Sequence, residues 1–133
     1  MLLAVCEATD LACDCIPHIA AGLGGGLGTQ GEACGALTGG VLVMGLAYGS
    51  DEVAEREEKD ALYARTAAFV RRFGELNGAL RCRDLVGLDL STPAGLEEYR
   101  ARNLSEQLCR GIVRRATEAI LALLSEWEAA PAG

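Results

Sequence analysis

Ala33-Cys34-Gly35-Ala36-Leu37-Thr38-Gly39-Gly40-Val41-Leu42-Val43-Met44-Gly45-Leu46-Ala47-Tyr48-Gly49-Ser50 is a run of 18 residues without a single charged side chain. It ends as helices end, with a glycine stop meeting a serine start at Gly49-Ser50. A helix that is apolar all round has to be wrapped by others, so the stretch predicts the buried central helix of an all-α protein. Its length touches the lower limit for a membrane span. Gly31, Gly35 and Gly39 also recur every four residues, a small-residue stripe of the kind that pairs membrane helices. Against insertion stand the many glycines, the lack of an aromatic belt, and flanking segments that are amphipathic in the soluble manner. We expect no membrane insertion, and the stripe leaves a homodimer open.

Outward from this helix, the chain keeps to helical periods and helical punctuation. Upstream, Gly22-Leu23-Gly24-Gly25-Gly26-Leu27-Gly28 is a loop whose glycines permit positive backbone angles and close approach. Downstream, Ser50-Asp51-Glu52 supplies a cap and two carboxylates for the next helix. Leu62, Thr66, Phe69, Phe73 and Leu76 then share one helical face, opposite a charged one, and Gly74 and Gly78 close the segment. Arg81-Cys82-Arg83-Asp84 reads as a loop, and Ser91-Thr92-Pro93 opens a short helix through about Arg102. The last helix begins near Leu104 or Ser105, with Cys109, Val113, Ala116, Ile120, Leu123 and Trp127 on its core face. No strand pattern and no internal repeat is found.

With 133 residues, half of them hydrophobic, residues 1–133 make one domain with enough apolar material for a continuous core. Glycine is abundant at 17, proline scarce at 3, and aromatics only 5%, so Ala, Leu, Val and Ile must build that core at close backbone approach. The expected fold is a compact all-α bundle of about five to six helices around the glycine-rich central one. A formal charge of −7, with no basic run beyond Arg71-Arg72 or Arg114-Arg115, excludes nucleic acid as a partner.

Six cysteines are dense usage for such a chain. Met1-Leu2-Leu3-Ala4-Val5-Cys6 lacks the basic leader and long apolar stretch of a secretory or lipoprotein signal, and Glu7 follows it. A cytoplasmic location is therefore expected, where thiols at this density serve redox or metal chemistry rather than structural disulfides. Cys34 stands at the start of the central helix, where unpaired N–H groups and the helix dipole would lower its pKa. Cys82 sits between Arg81 and Arg83, and Arg110 follows Cys109, so positive charge near both sulfurs would favour thiolates. Cys13-Asp14-Cys15 has a spacing that suits a soft metal or a strained disulfide, with Cys6 nearby on a helical path. His18 is the only histidine, which rules out a multi-histidine metal site within the chain. Gly26-x-Gly28-x-x-Gly31 with Asp51 downstream matches a dinucleotide fingerprint in form alone, because no strand precedes the loop and none follows to pair.

Gly24-Gly25-Gly26, Gly31-Glu32-x-Cys34-Gly35-Ala36-x-Thr38-Gly39, Cys82-Arg83-Asp84-Leu85-x-Gly87-x-Asp89-Leu90 and Cys109 together resemble, in order and spacing, the redox-active proteins named for the C_GCAxxG_C_C signature. The resemblance spans nearly the whole chain and implies a small helical protein with no settled reaction. The family places a first cysteine in an Asn-Cys-Ala setting at the start of its first helix, whereas Met1 to Val5 resemble the middle of that helix. The fourth thiol would then precede residue 1, or Cys6, Cys13 or Cys15 takes its role.

Residues and resemblance together predict thiol redox chemistry. Cys34 is the activated thiol, Cys82 and Cys109 are its resolving or electron-accepting partners, and Gly24, Gly25, Gly26, Gly35 and Gly39 are the backbone against which a partner group approaches. An unidentified redox protein is the expected partner. The competing prediction is an iron-sulfur cluster or zinc held by Cys34, Cys82 and Cys109 with Cys13 or Cys15. A third is a non-catalytic accessory subunit whose cysteines are inert.

Overall fold

The computed structural model describes residues 1–11, 14–53 and 55–130. Among them are seven α-helices: α1 (Leu2–Ala8), α2 (Gly24–Leu27), α3 (Gly35–Tyr48), α4 (Arg56–Asn77), α5 (Cys82–Val86), α6 (Pro93–Ala101) and α7 (Arg110–Ala129). A 3-10 turn, His18–Leu23, precedes α2, and a π turn, Ser105–Cys109, leads into α7. The described residues form no strand, only one isolated antiparallel bridge between Ala33 and Arg81. The fold is the expected all-α bundle. Its two shortest helices, α2 and α5, are single turns that fall in stretches read from sequence as loops.

The charge-free helix α3 is central, packed by α1, α4 and α7. Its glycines explain how a core poor in aromatics closes. A Cβ on Gly40 would run into the ring of Phe69, and one on Gly39 would meet the Met1 and Leu2 side chains of α1. The stripe is thus taken up by packing within the chain, which lets Val5, Val43, Met44, Phe69, Phe73 and Ile120 interlock with essentially no exposure. No helix among the described residues is long and apolar enough to cross a membrane.

Three local readings are corrected. Helix α4 starts at Arg56, not at Ser50: Glu55 and Glu58 form a reciprocal capping box there, while the Ser50 hydroxyl only accepts from the Glu52 amide at 3.3 Å within a turn. On α4, Phe69 and Phe73 are buried as predicted but Leu76 is 40% exposed, because the helix turns its last apolar residue outward before the left-handed cap at Gly78. On α7, Ile112, Ala119 and Leu124 are buried beside the expected Ala116 and Ile120, since contact with both α3 and α4 demands a wider apolar face than a single stripe. Helix α6 opens as read: the Thr92 hydroxyl accepts from the Gly95 amide at 3.1 Å, with Pro93 in the first turn.

Candidate functional site

Backbone hydrogen bonds join the two segments that carry Cys34 and Cys82. The Cys34 amide donates to the Leu80 carbonyl at 2.9 Å, the Cys82 amide to the Glu32 carbonyl at 2.7 Å, and the Arg83 amide to the Gly31 carbonyl at 3.1 Å. The Glu32 amide in turn donates to the Gly26 carbonyl at 3.0 Å, which ties in the glycine turn. Gly25 and Gly26 of α2 have φ of 64° and 70°, so this turn is folded back in the left-handed region that glycine favours. Gly26 also has no room for a side chain: a Cβ would lie 2.6 Å from the Cys82 Cβ and 2.7 Å from the Glu32 amide nitrogen. Gly35 is similarly crowded, its Cβ position lying 2.9 Å from the Leu23 carbonyl oxygen. The glycine-rich sequence therefore serves close backbone approach around the two cysteines.

The third cysteine arrives from the far end of the chain. Asn103, with φ of 50°, and the π turn Ser105–Cys109 break the path between α6 and α7, and Cys109 is the last residue of that turn. A π turn takes an extra residue, so it offsets Cys109 from the register of α7. The result is a cavity of about 220 Å³ bordered by Cys34, Cys82, Cys109 and Tyr99, with Gly24, Gly25, Gly26 and Gly35 presenting bare backbone and aliphatic side chains completing the wall. Cys34 and Cys109 are half-buried, Cys82 is 7% exposed, and all three are free thiols.

For Cys34 and Cys82 the electrostatics reverse the expectation from sequence. Burial pushes the Cys34 thiol up, and Cys109 adds to the rise; the amides of Ala36 and Leu37 at the start of α3 pull the other way but do not prevail. Burial pushes Cys82 up to about 11, reinforced by Cys34 and Cys109. The arginines beside Cys82 give no relief, because their side chains turn away from the cavity. Arg81 pairs with Glu32 at 3.0 Å, and Arg83 with Glu32 at 3.5 Å and with the Gln30 carbonyl at 2.7 Å. Arg110 pairs with Glu106 at 2.8 Å, one helical turn back. At neutral pH Cys34 and Cys82 therefore stand in the cavity as neutral thiols, and among the described residues no charged side chain borders it.

Of the other residues singled out from sequence, Gly39 borders a separate groove beneath α1. Cys6 lies on α1 against the main core and does not border the cavity. Cys15 is disulfide-bonded, and its carbonyl accepts from the Ile19 amide at 3.0 Å. Cys13 lies outside the described residues. Among the described residues, no group of three or more His, Cys, Asp or Glu is placed to hold a metal ion. Tyr99 was missed. Its hydroxyl lies 3.3 Å from the Cys109 sulfur, a contact between α6 and the π turn that residue spacing could not signal because it depends on the irregular backbone between them.

Comparison with known proteins gives two matches. A family model described as "Putative redox-active protein (C_GCAxxG_C_C)" matches residues 1–123. An uncharacterized protein of Archaeoglobus fulgidus is 32% identical over 133 residues, an alignment covering 93% of this chain and 81% of the relative. No solved structure matches.

Proposed function

The chain belongs to the C_GCAxxG_C_C family, whose description is of redox activity, and from that premise we propose that it is a thiol redox protein working through Cys34, Cys82 and Cys109. The reading rests on one observation: three free thiols, delivered by three separate segments of the chain, border one cavity. Cys34, half-buried at the start of α3, is the sulfur that meets the partner. Cys82 and Cys109 are the thiols that resolve it.

The chemistry is an exchange of two electrons and two protons. A partner disulfide is attacked by Cys34, giving a mixed disulfide and releasing one partner thiol. A second cavity thiol then displaces the partner, leaving an intramolecular disulfide here and a dithiol on the partner. The glycine wall suits this step, since bare backbone at Gly24–Gly26 and Gly35 leaves room for an incoming sulfur. Raised pKa values at Cys34 and Cys82 keep these two thiols neutral and slow to react, so exchange depends on a partner that enters the cavity rather than on any passing oxidant.

Peptide mapping after cycles of oxidant and reductant tests the proposal. A reversible linkage among the three cysteines is expected, and its absence sinks the reading. Anaerobic purification with metal analysis adds the other arm: bound iron or zinc retained through purification, with no reversible linkage, would assign the same thiols to a cofactor.

A further inference from the structure

Among the described residues, Tyr99 supplies the only polar side chain bordering the cavity apart from the three thiols. Its hydroxyl stands 3.3 Å from the Cys109 sulfur, within reach of a hydrogen bond in which either atom can be the donor. The backbone around the contact is irregular over one hydrogen-bonded stretch: Asn103 takes a left-handed φ of 50°, and its carbonyl accepts from the Glu106 and Gln107 amides of the π turn Ser105–Cys109. Such irregularities cost free energy and persist where the surrounding structure holds them in place. Here they bring a residue of α6 and the sulfur ten positions later face to face. Without the π turn, Cys109 would follow the regular register of α7.

We infer that Tyr99 is a positioning residue for Cys109, its O–H donating to the Cys109 sulfur whenever that sulfur is released as a thiolate. This rests on the thiol-redox reading above and gives the exchange a direction. Consider the oxidised protein with Cys109 in the cavity disulfide, and a dithiol reductant as co-reactant. One reductant thiolate attacks the half-buried Cys34 sulfur, the Cys34–Cys109 bond breaks, and its electron pair leaves on Cys109. That anion arises in an apolar cavity bordered by no cationic side chain among the described residues, where the Tyr99 hydroxyl is the side-chain donor at 3.3 Å. The second reductant thiol then displaces Cys34, which releases a cyclic reductant disulfide and two protein thiols, with protons taken from the reductant thiols by way of solvent. Burial and the neighbouring Cys109 hold the Tyr99 phenol up at about 12, so it stays protonated and able to donate at neutral pH.

Tyr99→Phe removes the hydroxyl and keeps the ring. Each cysteine's alkylation by iodoacetamide, followed by peptide mass spectrometry across pH in the full-length reduced protein, reads thiolate formation without requiring any redox turnover. The expected result is a pH profile for Cys109 shifted upward, with alkylation about tenfold slower at a fixed mildly alkaline pH, the profile of Cys6 unchanged, and the thermal midpoint nearly retained. Coincident Cys109 profiles in the two proteins would overturn the inference. If Tyr99→Phe does not fold, Cys109→Ala gives a second route: a carbon-NMR titration of the Tyr99 ring should move to lower pH once the sulfur is gone, and an unmoved titration would likewise overturn it. Either result is independent of whether the cavity thiols form a disulfide, so failure here is distinguishable from failure of the redox reading.

Discussion

Gly26 and Cys82 are packed so closely that a Cβ on the glycine would sit 2.6 Å from the Cβ of the cysteine. Fifty-six positions apart in the chain, they are held there by the Glu32 peptide, whose amide donates to Gly26 and whose carbonyl accepts from Cys82. The contact joins the glycine turn to the cysteine-bearing α5, and both border the cavity.

Gly26→Ala should therefore be costly twice over. It puts a side chain into the left-handed φ of 70° and drives it against Cys82. The expected loss is on the order of 1–3 kcal/mol from backbone strain alone, visible as a lowered denaturation midpoint. Cys82 should also become easier to alkylate as the turn is pushed away. A variant with wild-type stability and unchanged Cys82 reactivity would contradict the packing.

Gly40→Ala probes the core without touching the cavity. Its added methyl would collide with the Phe69 ring, which has no exposure and lies edge-on to Phe73 at 6.2 Å between ring centres. Overpacking of this kind costs about 1–3 kcal/mol. Urea denaturation should show that loss, and the double variant Gly40→Ala/Phe69→Leu should recover part of it if the collision is the cause.

Raised thiols make stability depend on pH in a definite direction. Cys82 binds its proton more tightly in the folded protein than in the unfolded chain, because burial raises it to about 11 from an unfolded value near 9.0. Its contribution is fully present below about pH 9 and is lost as pH rises through 11, a change on the order of 1–3 kcal/mol. Denaturant titrations at steps from pH 8 upward should thus show falling stability, with a shallower fall in Cys82→Ala. Equal slopes for the two proteins would count against a buried neutral thiol at this position.

The arginines flanking Cys82 should have little effect on its ionisation. Arg81 and Arg83 turn to Glu32 and to loop carbonyls. Arg81→Met is predicted to leave the pH profile of Cys82 alkylation where it is, and to cost at most about 1 kcal/mol as an exposed ion pair is lost. A clear upward displacement of that profile would show that the guanidinium does reach the sulfur.

Much of the fold was legible in sequence because it follows from local rules. The charge-free run from Ala33 to Ser50, flanked by amphipathic segments, favours a wrapped helix over a membrane span, and Thr92-Pro93 announces α6 by its cap and its first-turn proline. The start of α4 was misread since Ser50 looked like a cap while a box of two glutamates, Glu55 and Glu58, held the true start a few residues on. Cys34, Cys82 and Cys109, grouped in sequence by the motif, do border one cavity. Their chemical state was not legible. Adjacent arginines in a sequence say nothing of where a guanidinium points, and here each one turns to a glutamate. Tyr99 was invisible for a related reason: its contact with Cys109 depends on a π turn, which no periodicity in Ser105–Cys109 foretells.

The central claim is that Cys34, Cys82 and Cys109 act as one redox unit, and the most direct measurement is peptide mapping of the full-length protein carried through an oxidant and back through a dithiol reductant. The account predicts one intramolecular disulfide among these three cysteines, formed on oxidation, undone on reduction, and lost in Cys34→Ser. Persistent alkylation of all three after oxidation, with no linkage between any pair, would contradict it.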